Sequence, residues 1–320
     1  MYLIGFYCLN ARHENERMRA LLAEIQGALC FNETKIKRVS AFECVELCSA
    51  KAFFQSRPTG VYTCTRLKAS DETTSKVFTI LDEWSFHLQR LSHGVTLADN
   101  SFKWSSSELE KLKVTTDLLA ATAVDQWLVG NTDDGMLSVL WYPRPDIHDY
   151  CVAVHVCPLP TPLRFTSTVL VYGEGRTNAH CKHTQWIKDR VIIEQHAARI
   201  RENRGEPIDE VLLSTTISGG DKLLLEGLTT NLFVVKGDKV YTAENDVLHG
   251  STRMLVLKAC ADLSIPVVLE APKLSERDLW QAAFVTRTGE EENAIEATSI
   301  PSDSSGYTQK IRDHILTKRM

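Results

Sequence analysis

No stretch of this 320-residue chain approaches the roughly 20 consecutive apolar residues that a membrane-spanning helix requires, so a membrane-embedded role is not expected. A basic excess is lacking too: 36 Lys and Arg stand against 41 Asp and Glu, a formal net charge of −5, and the basic residues are dispersed. Nothing in that balance attracts a phosphate polymer or an anionic membrane, so nucleic acid is not an expected partner. The nine cysteines contain no CxxC pair; Cys44 and Cys48 sit at helical spacing instead. This pattern suits free thiols in a reducing cytosol, and a cytoplasmic protein is expected. The opening MYLIGFYCLNAR lacks a basic region before its apolar start and a cleavage site after it, and does not read as a signal peptide. Also missing are a GxSxG, a Walker motif and the third glycine that would make GEG at Gly173–Gly175 a dinucleotide fingerprint. No internal repeat is visible.

What the chain does have is enough apolar content, 43%, for two domains that each bury a core. In residues 14 to 30, Met18, Leu21, Leu22, Ile25 and Leu29 recur at helical spacing, which predicts an amphipathic helix. GVYTCTRL (60–67) and KVFTIL (76–81) read as strands, WSFHLQRL as the start of a helix, and Ser105 to Leu128 as another. MLSVLWY and YCVAVHVC follow as a hairpin. In CPLPTPLR, Cys157 to Arg164, three prolines in five positions favour extended chain, the expected linker. The domains are then 1–156, an N-terminal α/β domain, and 165–320, with the linker at 157–164.

Beyond the linker, FTSTVLVYG, EVLLSTT, KLLLEG, NLFVV and VYTA read as strands, and HTQWIKDRVIIEQHAARI as a helix. Ser218 to Asp221 and Lys236 to Asp238 supply turns. STRMLVLKACADL reads as a helix starting after Gly250, PVVLEA as a strand, and a further helix is expected to open at Ser275 with Asp278 as an imperfect capping partner. AAFVTRT reads as the last strand before an acidic, serine-rich segment and a short terminal helix.

Four of these segments, in order, carry chemistry: FHLQRL, CKHTQWIKDR, KLLLEGLTTNLFVVKGDKVYTA and VLHGSTRMLVLKACADLSIPV. Together they resemble the fold-type IV pyridoxal-phosphate-dependent enzymes, the superfamily of branched-chain and D-amino-acid aminotransferases and aminodeoxychorismate lyase. The resemblance runs from about Gly60 to Ile300. It implies an α/β, two-domain fold with pyridoxal 5′-phosphate in the interdomain cleft, residues 165–320 being the cofactor-binding domain, and a homodimer.

By this resemblance Lys182 is the Schiff-base lysine, a role that needs an amine able to lose its proton near neutral pH. Lys188, inside the following helix, is its nearest competitor. Glu226 closes the apolar run Leu223–Leu225, an unfavourable place for a carboxylate without a partner, and would face the pyridine nitrogen. Gly250, Ser251 and Thr252 open a helix whose amide groups suit a phosphate. Arg90 would add the cationic clamp and Thr288 a further hydroxyl. Tyr62 and Arg66 resemble positions bordering the substrate, and Arg66 could pair a substrate carboxylate. Each has a plain alternative: surface lysine or arginine, strand-end glutamate, ordinary helix cap, strand threonine.

The sequence departs from the family where many members carry a tyrosine five positions after the lysine, here Ile187 beside Trp186, and where a proline precedes the phosphate-binding glycine, here His249. His180, Cys181 and His183 crowd together but have no second cluster at zinc-like spacing, so no metal is expected. The resemblance implies amino transfer between an amino acid and a 2-oxo acid. A pyruvate-releasing lyase and a non-catalytic cofactor-binding protein remain alternatives.

Overall fold

A computed structural model describes residues 3–4, 19–25, 40–46, 49–68, 81–98, 104–128, 133–144, 149–159, 168–205, 207–287, 295–298 and 305–319. The chain is a mixed α/β protein that divides into two compact units: one is Met1–Arg12, Thr161–His180 and Asp189–Met320, the other His13–Pro160 and Cys181–Lys188. After β1 (Leu3–Ile4) in the first unit, the chain enters the second.

There, β2 (Arg19–Ile25), β3 (Ser40–Glu46), β4 (Val61–Leu67), β5 (Gly135–Arg144) and β6 (Asp149–Pro158) form an antiparallel sheet in the order β3-β2-β6-β5-β4. Side chains alternate across it, as the period of two requires. Val61, Leu67, Val139, Trp141, Val152 and Val154 pack with helices α2 (Trp84–Ala98) and α3 (Ser106–Leu128). Tyr62, Leu140, Tyr142, Cys151 and Ala153 pack with Phe53 and Phe54 of α1 (Ala50–Gln55). Gly94 lets α2 approach β4 closely, since a Cβ there would meet Val61 Cγ1 at 2.5 Å.

The helix expected over 14–30 is instead represented by strand β2, whose Leu21 to Ile25 pair with Val156 to Val152 of β6. Apolar residues at 21, 22 and 25 fit a helix, but Leu21, Ala23 and Ile25 equally fit alternation, and sheet pairing on both sides decides. Cys44 correspondingly lies in β3 rather than on a helix. Of the strand read at 76–81, Leu81 is described and bridges Leu67; the rest, like most of the expected linker, lies outside the described residues.

In the first unit, β7 (Val169–Glu174), β8 (Glu210–Thr216), β9 (Lys222–Gly227), β10 (Asn231–Lys236), β11 (Lys239–Tyr241) and β12 (Val267–Val268) continue from β1 in that order, while β13 (Ala282–Thr286) pairs with β10 and with β14 (Ile295–Thr298). Phe233 and Val235 of β10 pack with Val256, Ala259 and Cys260 of α6 (Ser251–Asp262) and with Ile311 and Ile315 of α7 (Tyr307–Arg319). Leu232 and Val234 turn to the opposite core with Leu212 and Leu224. The long helix read from His183 is broken at Arg190 into α4 (Gln185–Asp189) and α5 (Val191–Arg204). The helix expected from Ser275 is a short 3-10 helix, Leu274–Leu279, because the Ser275 hydroxyl donates to Asp221 Oδ2 at 2.6 Å instead of capping.

Among the described residues, no helix is long and apolar enough to cross a membrane. Cys64, Cys151 and Cys260 are free thiols.

Candidate active site

The proposed residues form two groups, each held within its own unit. The first group surrounds Lys182. β4 is an edge strand, and the backbone at its start is satisfied by the lysine's own segment: Tyr62 N donates to Lys182 O and Thr184 N to Gly60 O, both at 2.9 Å. Gly60 N in turn donates to Thr184 Oγ1 at 2.9 Å, and Val61 bridges His183. This stitching gives a chain segment with little regular structure a rigid strand to lean on. Lys182 Nζ lies 4.8 Å from the centre of the Tyr62 ring, within cation–π range. Lys188, by contrast, is exposed on α4.

Arg90 belongs to the same unit. Its guanidinium donates through Nη2 to Thr63 Oγ1 at 2.6 Å and to His87 Nδ1 at 3.1 Å. Its Nε is buried and has no hydrogen-bond partner. Burial lowers the pKa of Arg90 to about 10, which leaves it cationic at neutral pH. Burial also pushes the neighbouring Cys64 thiol upward, so that it stays protonated. Arg66 is committed elsewhere: its Nε donates to Asp134 Oδ2 at 2.5 Å in a partly buried ion pair.

The second group is built on β9, β10 and the start of α6. Glu226 is buried at 3% exposure, and its Oε1 takes Arg176 Nε at 2.7 Å while its Oε2 takes Leu248 N at 2.8 Å. Asn231, the cross-strand partner of Glu226, donates from Nδ2 to Leu248 O at 2.7 Å. Leu248 therefore enters the α6 N-terminus with both ends of its backbone held. Gly250 is the N-cap and supplies no side-chain cap of its own. A Cβ on Gly250 would meet Asn231 Oδ1 at 2.5 Å, so the glycine is needed for this close approach. Ser251 and Thr252 are buried, and Thr252 Oγ1 donates to Arg287 O at 3.1 Å. Thr288 lies outside the described residues.

A helix start whose N-cap is glycine lets an anion approach the first-turn amide groups. The orphaned donor of buried Arg90 likewise suits an anion. Each by itself is of a kind that suits a phosphate monoester, and Lys182 is an amine of the kind that condenses with an aldehyde.

A family model for class IV amino-transferases matches residues 78–291. The chain belongs to the class IV aminotransferases. Solved structures agree in fold. A branched-chain aminotransferase from Thermoproteus uzoniensis, solved with norvaline, has 17% identity and a TM-score of 0.62, over 95% of this chain and 96% of that one. A fold IV transaminase from Curtobacterium pusillum has 16% identity and a TM-score of 0.63, over 93% and 99%. A hypothetical aminotransferase from Mycobacterium tuberculosis in its PLP-bound form has 14% identity and a TM-score of 0.60, over 86% and 95%. No curated protein sequence matches significantly.

In this class IV aminotransferase Ile187, five positions after Lys182, is buried in the cluster of Phe53, Phe54, Tyr62 and Leu140. His249 is exposed, with its ring in edge contact with His180 at 5.3 Å. His183 Nδ1 accepts from Gln185 N at 3.1 Å and serves the start of α4. Among the described residues, no group of three His, Cys, Asp or Glu is arranged to hold a metal. Four polar residues were not foreseen from sequence: Thr63, His87, Arg176 and Asn231. His87 and Asn231 sit inside the family-like blocks, which was the available signal; Arg176 follows GEG with none.

Proposed function

We propose that this class IV aminotransferase binds pyridoxal 5′-phosphate through Lys182 and moves an amino group between an amino acid and a 2-oxo acid. The observation that carries the reading is the anchoring of Lys182 on β4, in the same unit as Arg90 with its unpartnered Nε. When bound, this cofactor supplies an aldehyde that condenses with amines and a ring that accepts electrons from the substrate's α-carbon.

The chain's own contributions are separate and specific. Lys182 Nζ would hold the cofactor and would move the proton at the substrate's α-carbon. The Tyr62 ring beside it limits where that amine can go. Glu226 offers a carboxylate for the ring nitrogen, and Arg176 and Leu248 N fix its orientation. Arg90, Gly250, Ser251 and Thr252 serve the phosphate, and Thr288 is proposed to assist them. Tyr62 is also proposed to border the substrate; Arg66 can meet a substrate carboxylate to the extent that Asp134 releases it. The proposal includes a homodimer acting in the cytoplasm.

The test is to load the protein with pyridoxal 5′-phosphate, reduce with borohydride and map the modified peptide. Lys182 is expected to carry the label, and a label on Lys188 or on no lysine would remove the assignment. A panel of L- and D-amino acids with 2-oxo acid acceptors then tests the reaction. Pyruvate release from aminodeoxychorismate without amino transfer would establish a lyase instead, and silence in both assays a non-catalytic protein.

A further inference from the structure

Arg90 is held by two side chains whose proton positions can be assigned. Its Nη2 contacts Thr63 Oγ1 at 2.6 Å and His87 Nδ1 at 3.1 Å, and Thr63 Oγ1 lies 2.6 Å from His87 Nδ1. A guanidinium only donates, so His87 Nδ1 must present its one lone pair, which Arg90 shares with the threonine hydroxyl, and Thr63 Oγ1 must accept from Arg90. The threonine proton then points to His87 Nδ1. The ring is thereby the neutral tautomer with its proton on Nε2. That Nε2 is buried with no hydrogen-bond partner, a cost an apolar side chain at position 87 would avoid. The histidine's contribution is thus on its Nδ1 side. Burial, followed by the charges of Arg90 and Lys182, holds the His87 pKa well below its ordinary value, which keeps that lone pair in place at neutral pH.

We propose that His87 and Thr63 are positioning residues for the cofactor's phosphomonoester. They anchor one amino group of Arg90 from behind and so present its remaining donors, including the unpartnered Nε, in a fixed orientation. A free arginine side chain would have to be ordered on binding, whereas this one is ordered beforehand. The inference rests on the cofactor reading above, but concerns the phosphate alone.

The experiment compares dissociation constants of the apoprotein for pyridoxal 5′-phosphate and for pyridoxal, which lacks the phosphate. The ratio of the pyridoxal constant to the pyridoxal 5′-phosphate constant isolates phosphate recognition. His87→Leu and Thr63→Val are each expected to lower that ratio about tenfold, the effect of one charge-assisted contact misplaced. His87→Asn can return an acceptor to the Nδ1 position, and with Thr63→Ser it should restore the ratio to within about threefold of the parent. Loss of both affinities in parallel in His87→Leu and Thr63→Val, or an unchanged ratio, would overturn the positioning role while leaving the cofactor reading intact. If the parent protein binds neither compound, the cofactor reading fails and the inference with it.

Discussion

Glu226 and Asn231 face each other across β9 and β10 and between them hold both ends of the Leu248 backbone, one accepting its N–H and the other donating to its C=O. The carboxylate assigned to the ring nitrogen and the helix start assigned to the phosphate are therefore parts of one hydrogen-bonded frame. Within this unit, a change at either end is transmitted through a single residue.

Gly250→Ala tests the frame directly. The new Cβ would lie 2.5 Å from Asn231 Oδ1, and Asn231 cannot swing aside without releasing Leu248 O. A loss of about 1–3 kcal/mol is expected from this overpacking. In an Asn231→Ala background the same substitution should cost about 1 kcal/mol less, because the obstructing oxygen is gone. Equal costs in both backgrounds, measured by urea denaturation, would show that the contact does not constrain the turn.

Glu226→Gln should abolish most turnover, since a neutral amide cannot keep the ring nitrogen protonated. The structure adds a second effect. The Glu226–Arg176 pair is buried, with side chains 4% and 7% exposed, and the amide removes the negative charge on Arg176's partner. A stability loss of about 3 kcal/mol is expected. Adding Arg176→Met should recover stability without recovering turnover. A single mutant as stable as the parent, or a double mutant as fast, would contradict this division of roles.

The strands of the first unit were legible because short apolar runs alternate with turn residues whose backbone demands them: Gly219 and Gly220 have φ of 91° and 82°, and Gly237 and Asp238 have 55° and 56°. Strand β2 was not legible. Its apolar spacing serves helix and strand alike, and the strands beside it are remote in sequence, Val152 to Val156 above all. The same distinction holds at the site. Lys182, Glu226, Arg90 and the α6 start were proposed from ordered local blocks. Their supports come from far along the chain, Thr63 meeting His87 across 24 positions and Arg176 meeting Glu226 across 50. No local pattern encodes such pairs.

Ile187→Tyr introduces the tyrosine that the family resemblance led one to expect five positions after Lys182, yet it is not expected to add a function. Ile187 is 3% exposed among Phe53, Phe54, Tyr62 and Leu140. A phenol has no room there, and overpacking should cost about 1–3 kcal/mol. Calorimetry and amino-transfer assays on the variant decide the matter: a protein both as stable and more active would show that the position opens toward substrate.

The buried neutral His87 makes a specific mark on pH dependence. Unfolded, its imidazole takes a proton near pH 6.5; folded, burial first and then the charges of Arg90 and Lys182 hold its pKa well below that value. The sign follows from proton counting. Below pH 6.5 the unfolded state binds one proton more than the folded state, so lowering pH favours unfolding. The stabilisation is complete above pH 6.5 and is lost progressively as pH falls toward the folded pKa. The expected slope from this one group is at most about 1.4 kcal/mol per pH unit. His87→Asn keeps an acceptor beside Thr63 and Arg90 but removes the titrating group. Its stability, measured by urea denaturation from pH 7.5 down to 5 (roughly one unit above to more than one below the ordinary histidine pKa), should therefore fall less steeply than the parent's, by up to one proton's worth. Other titrating groups affect both proteins alike and cancel in the difference. Parallel curves would mean that His87 titrates normally in the folded protein, and that the lone pair supporting Arg90 is not secured by burial.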